Sequence, residues 1–159
     1  MGQYNKLINI TKKEYVVGYD IGILAKHYEQ IGFEGSMADV LYCLMIAQGD
    51  DRRGGGDVSG HRLIGHWAGD QVAIVGDYYD QDTDKPEYKG LYDIVEYHNL
   101  YEEGKADKDY KNISTAIRSM LRAVYPKLIF KKEYFTTENL DGTKTKTPHW
   151  RREWQEEVA

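Results

Sequence analysis

The chain has 159 residues, of which 41% are hydrophobic and 30% charged, and its formal net charge is −5. That size suits a single domain, residues 1–159, burying roughly two-thirds of its unfolded surface, and the balance excludes a disordered polymer. One cysteine, Cys43, excludes an intramolecular disulfide and a cysteine-built zinc cage, and no stretch approaches the ~20 apolar residues of a membrane span.

In chain order, "QYNKLINI" and "EYVVG" are short and rich in tyrosine and β-branched residues, with the polar "TKK" between them. They predict an opening strand pair. "GILAKHYEQIG" predicts one or two helical turns. The strongest helix is expected from Ser36 to Gly49, with Ser36 as the cap and Asp39 favourable in the first turn. Met37, Val40, Leu41, Leu44 and Met45 then share one face, and Cys43 in the same run reads as a buried, inert thiol. "HRLIGHW" and "QVAIVGDY" are strand-like around "AGD", so Leu63 to Val75 is expected to form a central hairpin. "LYDIVEYHNLYEEG" fits helix or strand. Ile113, Ile117, Met120, Leu121 and Val124 have helical spacing, and Pro126 stops that helix. "LIFKKEYFTT" and "NLDGTKTKT" predict two strands around Asp141-Gly142. Thr147-Pro148 then predicts a terminal helix with Trp150 and Trp154 one turn apart. The fold class is therefore α+β, a mostly antiparallel sheet packed with about three helices.

Charge divides along the chain. Asp77 to Asp109 holds about eleven acids against four bases, and Lys127 to Arg152 about seven bases against three acids. Two solvated faces of opposite sign would account for this. So would an acidic surface that meets a basic groove, or a basic segment that touches phosphates. "RRGGGD" lacks the phosphate-loop pattern and follows a helix instead of a strand, so its glycines are expected to end that helix and reverse the chain. No metal site is expected. Asp77, Asp80, Asp82 and Asp84 lack EF-hand spacing, and His61 and His66 would fall on opposite faces of an extended segment. No cofactor is expected either, since no nucleophile elbow or dinucleotide fingerprint is present.

At "MGQY", "RGGGD" and "GHWAGDQVAIVGDYYD" the chain resembles a family of small proteins encoded by phages, prophages and some prokaryotes. Its members open with M-G-x-Y, then carry R-G-G-G-D and a W-A-G-D strand ending in G-D-Y. The resemblance covers roughly the first 80 residues and implies a phage-associated setting in the host cytoplasm, with no particular reaction.

Two functions are weighed. The favoured one is a phage or mobile-element accessory protein that binds a host macromolecule without catalysis, inhibition of a defence system being one such role. Asp77, Tyr78, Tyr79, Asp80, Asp82 and Asp84, continued by Tyr92, Glu96 and Tyr97, would then face a host protein or nucleoprotein with a basic groove. Direct nucleic-acid contact through the basic C-terminal segment and homo-oligomerisation both stay open, and no membrane partner is expected. The alternative is a small-ligand protein or enzyme for a nucleotide or other anion. Arg53, Gly54, Gly55, Gly56, Asp57, His66, Trp67 and Asp70 would line its pocket, with Trp67 stacked on a base.

Overall fold

A computed structural model describes residues 4–23, 31–48, 58–76, 91 and 109–156. The opening strand pair is present as β1 (Asn5–Asn9) and β2 (Glu14–Val17), antiparallel with Leu7 opposite Val16 and Ile8 opposite Tyr15. The turn between them is set by Asn9, whose side-chain oxygen accepts the Lys12 N–H at 2.7 Å, and by Lys13 at φ 55°. β3 (Val72–Gly76) pairs antiparallel with β1, and the two-residue β4 (Lys111–Asn112) lies parallel to β2. The sheet order is β3-β1-β2-β4. Because side chains alternate across a sheet, β1 and β2 feed two clusters. Leu7 and Val16 point into the larger one, and Ile8 and Tyr15 join Val75 and Leu91 in the smaller one.

The larger cluster is closed by two helices. α1 (Met37–Met45) begins as expected, with Ser36 Oγ accepting the Asp39 N–H. Asp39 reaches back to the Gly35 N–H at 2.7 Å and also accepts the Tyr125 hydroxyl at 2.6 Å. Burial and this carboxylate push the Tyr125 hydroxyl up to about 12, so it remains a proton donor. Met37, Val40, Cys43 and Leu44 are buried, and burial also raises the Cys43 thiol pKa. α2 (Ser114–Val124) buries Ser114, Ile117, Met120 and Leu121. Its first turn is tied to the sheet, because Ser114 Oγ accepts the Val17 N–H and Asn112 accepts the Ser114 N–H. Among the described residues there are thus two α-helices, with a 3-10 helix at Gly18–Ile21.

Three expectations are corrected. α1 ends at Met45, not at Gly49, because Ile46 turns extended at ψ 128°. Leu63 to Trp67 is no strand. Four overlapping turns replace it, closed by bonds from Ile64 to His61, His66 to Leu63, Ala68 to Gly65 and Asp70 to Trp67. Gly65 at φ 77° and Gly69 at φ 82° sit where a type II turn asks for positive φ. The terminal helix is also absent, for β5 (Leu128–Glu138) and β6 (Lys144–Trp154) form one antiparallel ribbon with Leu128 opposite Trp154. Trp150 and Trp154 are an even number of residues apart, so they share a strand face as readily as a helix face. Pro148 is tolerated because both strands of a two-stranded sheet are edges. The expected reversal at Asp141-Gly142 is in place, with Gly142 at φ 83° and Asn139 bonded to Thr143. "GILAKHYEQIG" beyond Ile23 and "LYDIVEYHNLYEEG" beyond Leu91 lie largely outside the described residues.

Candidate functional site

His66, Trp67 and Asp70 of the expected pocket are brought together against the β1–β2 turn. Glu14 Oε1 takes the Trp67 indole N–H at 3.0 Å and lies 2.9 Å from His66 Nε2. Asp70 accepts from Asn9 at 2.9 Å and from the Lys12 ammonium. Trp67 is 0% exposed, with its ring inside the larger cluster. The expected stacking of Trp67 on a base is therefore corrected, since a ring enclosed on both faces has no surface to offer. Glu14, Lys12 and Asn9, all from the opening strand pair, are the partners that sequence reasoning missed. Their chemistry fastens the run of turns to the sheet. Arg53, Gly54, Gly55, Gly56 and Asp57, like Asp77, Tyr78, Tyr79, Asp80, Asp82 and Asp84, lie outside the described residues.

The Lys12 hydrogen bond first, then that of Asn9, holds the Asp70 carboxyl below the usual range. A carboxyl depressed on folding stabilises the protein above its unfolded pKa, and that contribution is lost as pH falls through the folded value. Lys12→Ala is expected to raise the Asp70 midpoint in a carbon-detected NMR titration towards the ordinary carboxyl range. An unmoved midpoint would show that the ion pair is not made.

A cavity of about 360 Å³ lies between the end of α1 and the turns, lined by Gln48, Ser59, His61 and Gly65 among others. Its histidine is engaged, with Nδ1 accepting the Leu63 N–H at 3.1 Å and Nε2 3.2 Å from Ser119 Oγ. Burial, with Arg62 nearby, pushes the His61 pKa down.

A larger groove of about 740 Å³ lies where α2 crosses the root of the ribbon. Arg118, Ser119 and Arg122 line it from α2, and Phe130, Trp150 and Gln155 from the ribbon side. The Arg118 guanidinium stands 3.8 Å over the Trp150 ring and donates to the Asp20 carbonyl and the Thr115 hydroxyl, so its hydrogen bonds go to neutral oxygens. Arg122, one turn on, is exposed and makes no hydrogen bond or ion pair among the described residues. Among the described residues no acid lines the groove. Beneath it Arg152 locks the root, donating from Nε to the Ile21 carbonyl at 2.7 Å with its guanidinium over Phe130. Burial pulls its pKa down to about 10.

Above the groove, strand alternation sorts the ribbon into two chemically different faces. One carries Glu133, Lys131 and Phe135 with Arg151, Glu153 and His149. Its charges are matched: Lys131 pairs with Glu153 at 2.7 Å, Arg151 with Glu133 at 2.7 Å and with Glu153 at 2.8 Å. Phe135 stacks on His149 at 3.8 Å between centroids. The other face carries Phe130, Lys132, Tyr134, Thr136 and Glu138 with Trp150, Pro148, Lys146 and Lys144. Lys132, Lys144 and Lys146 are exposed and form no ion pair among the described residues. Glu138, opposite Lys144, is the one acid of that paired face. The basic C-terminal run was legible in the sequence, but its concentration on one face was not, nor was the addition of Arg118 and Arg122, whose spacing of four on the polar side of a helix was the available signal.

Among the described residues no group of three or more His, Cys, Asp or Glu side chains is placed to hold a metal ion, and no helix is long and apolar enough to cross a membrane. No family model matches the chain, and neither a curated protein nor a solved structure matches it.

Proposed function

We propose that this protein works by binding a macromolecule, without catalysis of its own, and that the β5–β6 ribbon is the arm that makes the contact. One observation carries the reading. Two strands of 11 residues pair only with each other among the described residues, and every residue from Tyr134 to Glu138 is exposed. An isolated two-stranded hairpin is marginal in water, and this one reaches roughly 36 Å. It is held by its packed root, by the ion pairs of one face and by the turn, where Asn139 bonds Thr143 and Thr145. Its outer part adds little to either core, while it presents Tyr134 and Phe135, each more than half exposed, to the surroundings. An exposed aromatic ring beside unpaired charge, as Tyr134 is beside Lys132, is what a contact surface uses. The phage-associated setting implied by the three N-terminal motifs suits a small binding protein whose target belongs to the host.

The test places a photo-crosslinking phenylalanine analogue at Thr136 on the lysine face, and separately at Tyr42, exposed on α1. In cells, irradiation is expected to give a discrete adduct from position 136 and none from position 42. Equal yield from both, or none from 136, would end the ribbon reading.

A further inference from the structure

We infer that the lysine face of the ribbon and the groove at its root form one continuous track for a single-stranded nucleic acid, with phosphates on the cations and bases against the rings. This rests on the ribbon being the contact arm, and it names the partner. The charge argument comes first. Among the described residues Lys132, Lys144 and Lys146 lie on one exposed face without ion pairs, and that face leads into a groove whose described charged lining is Arg118 and Arg122. On the opposite face each base is matched by Glu133 or Glu153. A polyanion therefore meets unneutralised charge on one face only.

The rings choose among polyanions. Phe130, Trp150 and Tyr134 share the lysine face, and the register places Trp150 opposite Lys132, between the other two. Tyr134 is more than half exposed and is the open ring, whereas Trp150 and Phe130 are half-buried and each has a guanidinium over it, Arg118 and Arg152. Steps of two residues separate the rings by roughly 7 Å along the ribbon, so aromatic and cationic side chains alternate. Lys132 already lies 5.8 Å from the Tyr134 centroid. A positively charged path with aromatic side chains on which bases stack is how single strands are held without sequence preference. A duplex keeps its base faces inside its own stack and would leave these rings idle, and an acidic peptide would satisfy the cations alone. The groove volume of about 740 Å³ falls in the range that encloses a small organic ligand, room for a nucleotide at the root of the track.

Fluorescence anisotropy on the full chain, using labelled oligothymidylate of about twenty nucleotides at about 50 mM salt, reads the proposal directly. The single strand is expected to bind at least about tenfold more tightly than a duplex of equal length, with affinity falling steeply as salt rises. Arg122→Ala, at an exposed side chain without partners, should leave the melting curve unchanged and lower the salt slope by about 0.7, one phosphate contact. Tyr134→Ala should weaken binding about tenfold at constant slope, the signature of a lost stack. Replacing Lys132, Lys144 and Lys146 together with glutamine should remove most binding. Duplex binding as tight as the single strand, or equal competition by polyglutamate, would overturn the assignment. So would sedimentation showing self-association that the triple lysine variant abolishes, which would make a second copy's acid-rich segment the occupant. An adduct at position 136 with no oligonucleotide binding would leave the ribbon as the arm and sink the nucleic acid. Loss of that adduct as well would sink both.

Discussion

Trp67→Ala is expected to lower the melting temperature by roughly 6–20 °C, the largest effect of any single substitution considered. Removing a fully buried tryptophan costs about 3–5 kcal/mol in transfer and cavity terms, and for a chain of this length each kcal/mol moves the midpoint by about 2–4 °C. The ring is 0% exposed in the larger cluster, alongside Leu44, Leu63 and Leu121. Its indole N–H also satisfies Glu14, a carboxylate whose side chain is 15% exposed. Trp67→Phe should therefore lose less, keeping most apolar contact while leaving Glu14 with His66 alone. Thermal and denaturant melts of both variants measure this. A Trp67→Ala protein that melted like the parent would remove the ring from the core and restore it as a ligand-facing group.

The same residue shows where the sequence speaks and where it is silent. "MADVLYCLM" could be read directly, because Ser36, Asp39 and the apolar spacing act within one helical turn and depend on no distant partner. The ribbon turn was equally local, since Asp141-Gly142 carries its own conformational preference. "HRLIGHW" failed for the opposite reason. Its alternating apolar residues suit a strand, but Gly65 and Gly69 take positive φ and its amides bond to α1, a partner that no local pattern announces. "TPHWRREW" failed because tryptophans four apart fit both periodicities, and only pairing with "LIFKKEYF" decides between them. The charge on the ribbon was visible as composition. It became a surface only once the register put Lys132, Lys144 and Lys146 on one face and the acids Glu133 and Glu153 on the other. Local rules thus recovered the elements whose signals lie within one turn, and the rest, with the candidate contact surface, came from long-range pairing.

That dependence on distant partners gives the second large effect. Gly65→Val is expected to destabilise the protein by about 3 kcal/mol or more, whereas Gly69→Val should lose only about 1–2 kcal/mol. Both glycines hold positive φ, 77° and 82°, so each valine incurs the left-handed penalty. Their surroundings differ. A Cβ on Gly65 would stand 2.7 Å from the Ile46 carbonyl oxygen, while one on Gly69 would meet nothing within 4 Å. The obstructing atom is backbone, so relief requires the turns to move away from the end of α1. Those turns cap the helix: the Gly65 N–H donates to the Cys43 carbonyl and the Trp67 N–H to the Leu44 carbonyl, each at 2.8 Å. Last-turn carbonyls have no partner within their own helix, so separating the two segments would strand both and draw Trp67 out of its site. Denaturant unfolding of the two valine variants isolates the contact, because the backbone penalty is common to both. Equal losses would show that the close approach of Gly65 to α1 carries no weight. A larger loss at Gly65, with weakened amide protection at Trp67 in hydrogen exchange, would show that the helix end and the turns stand or fall together.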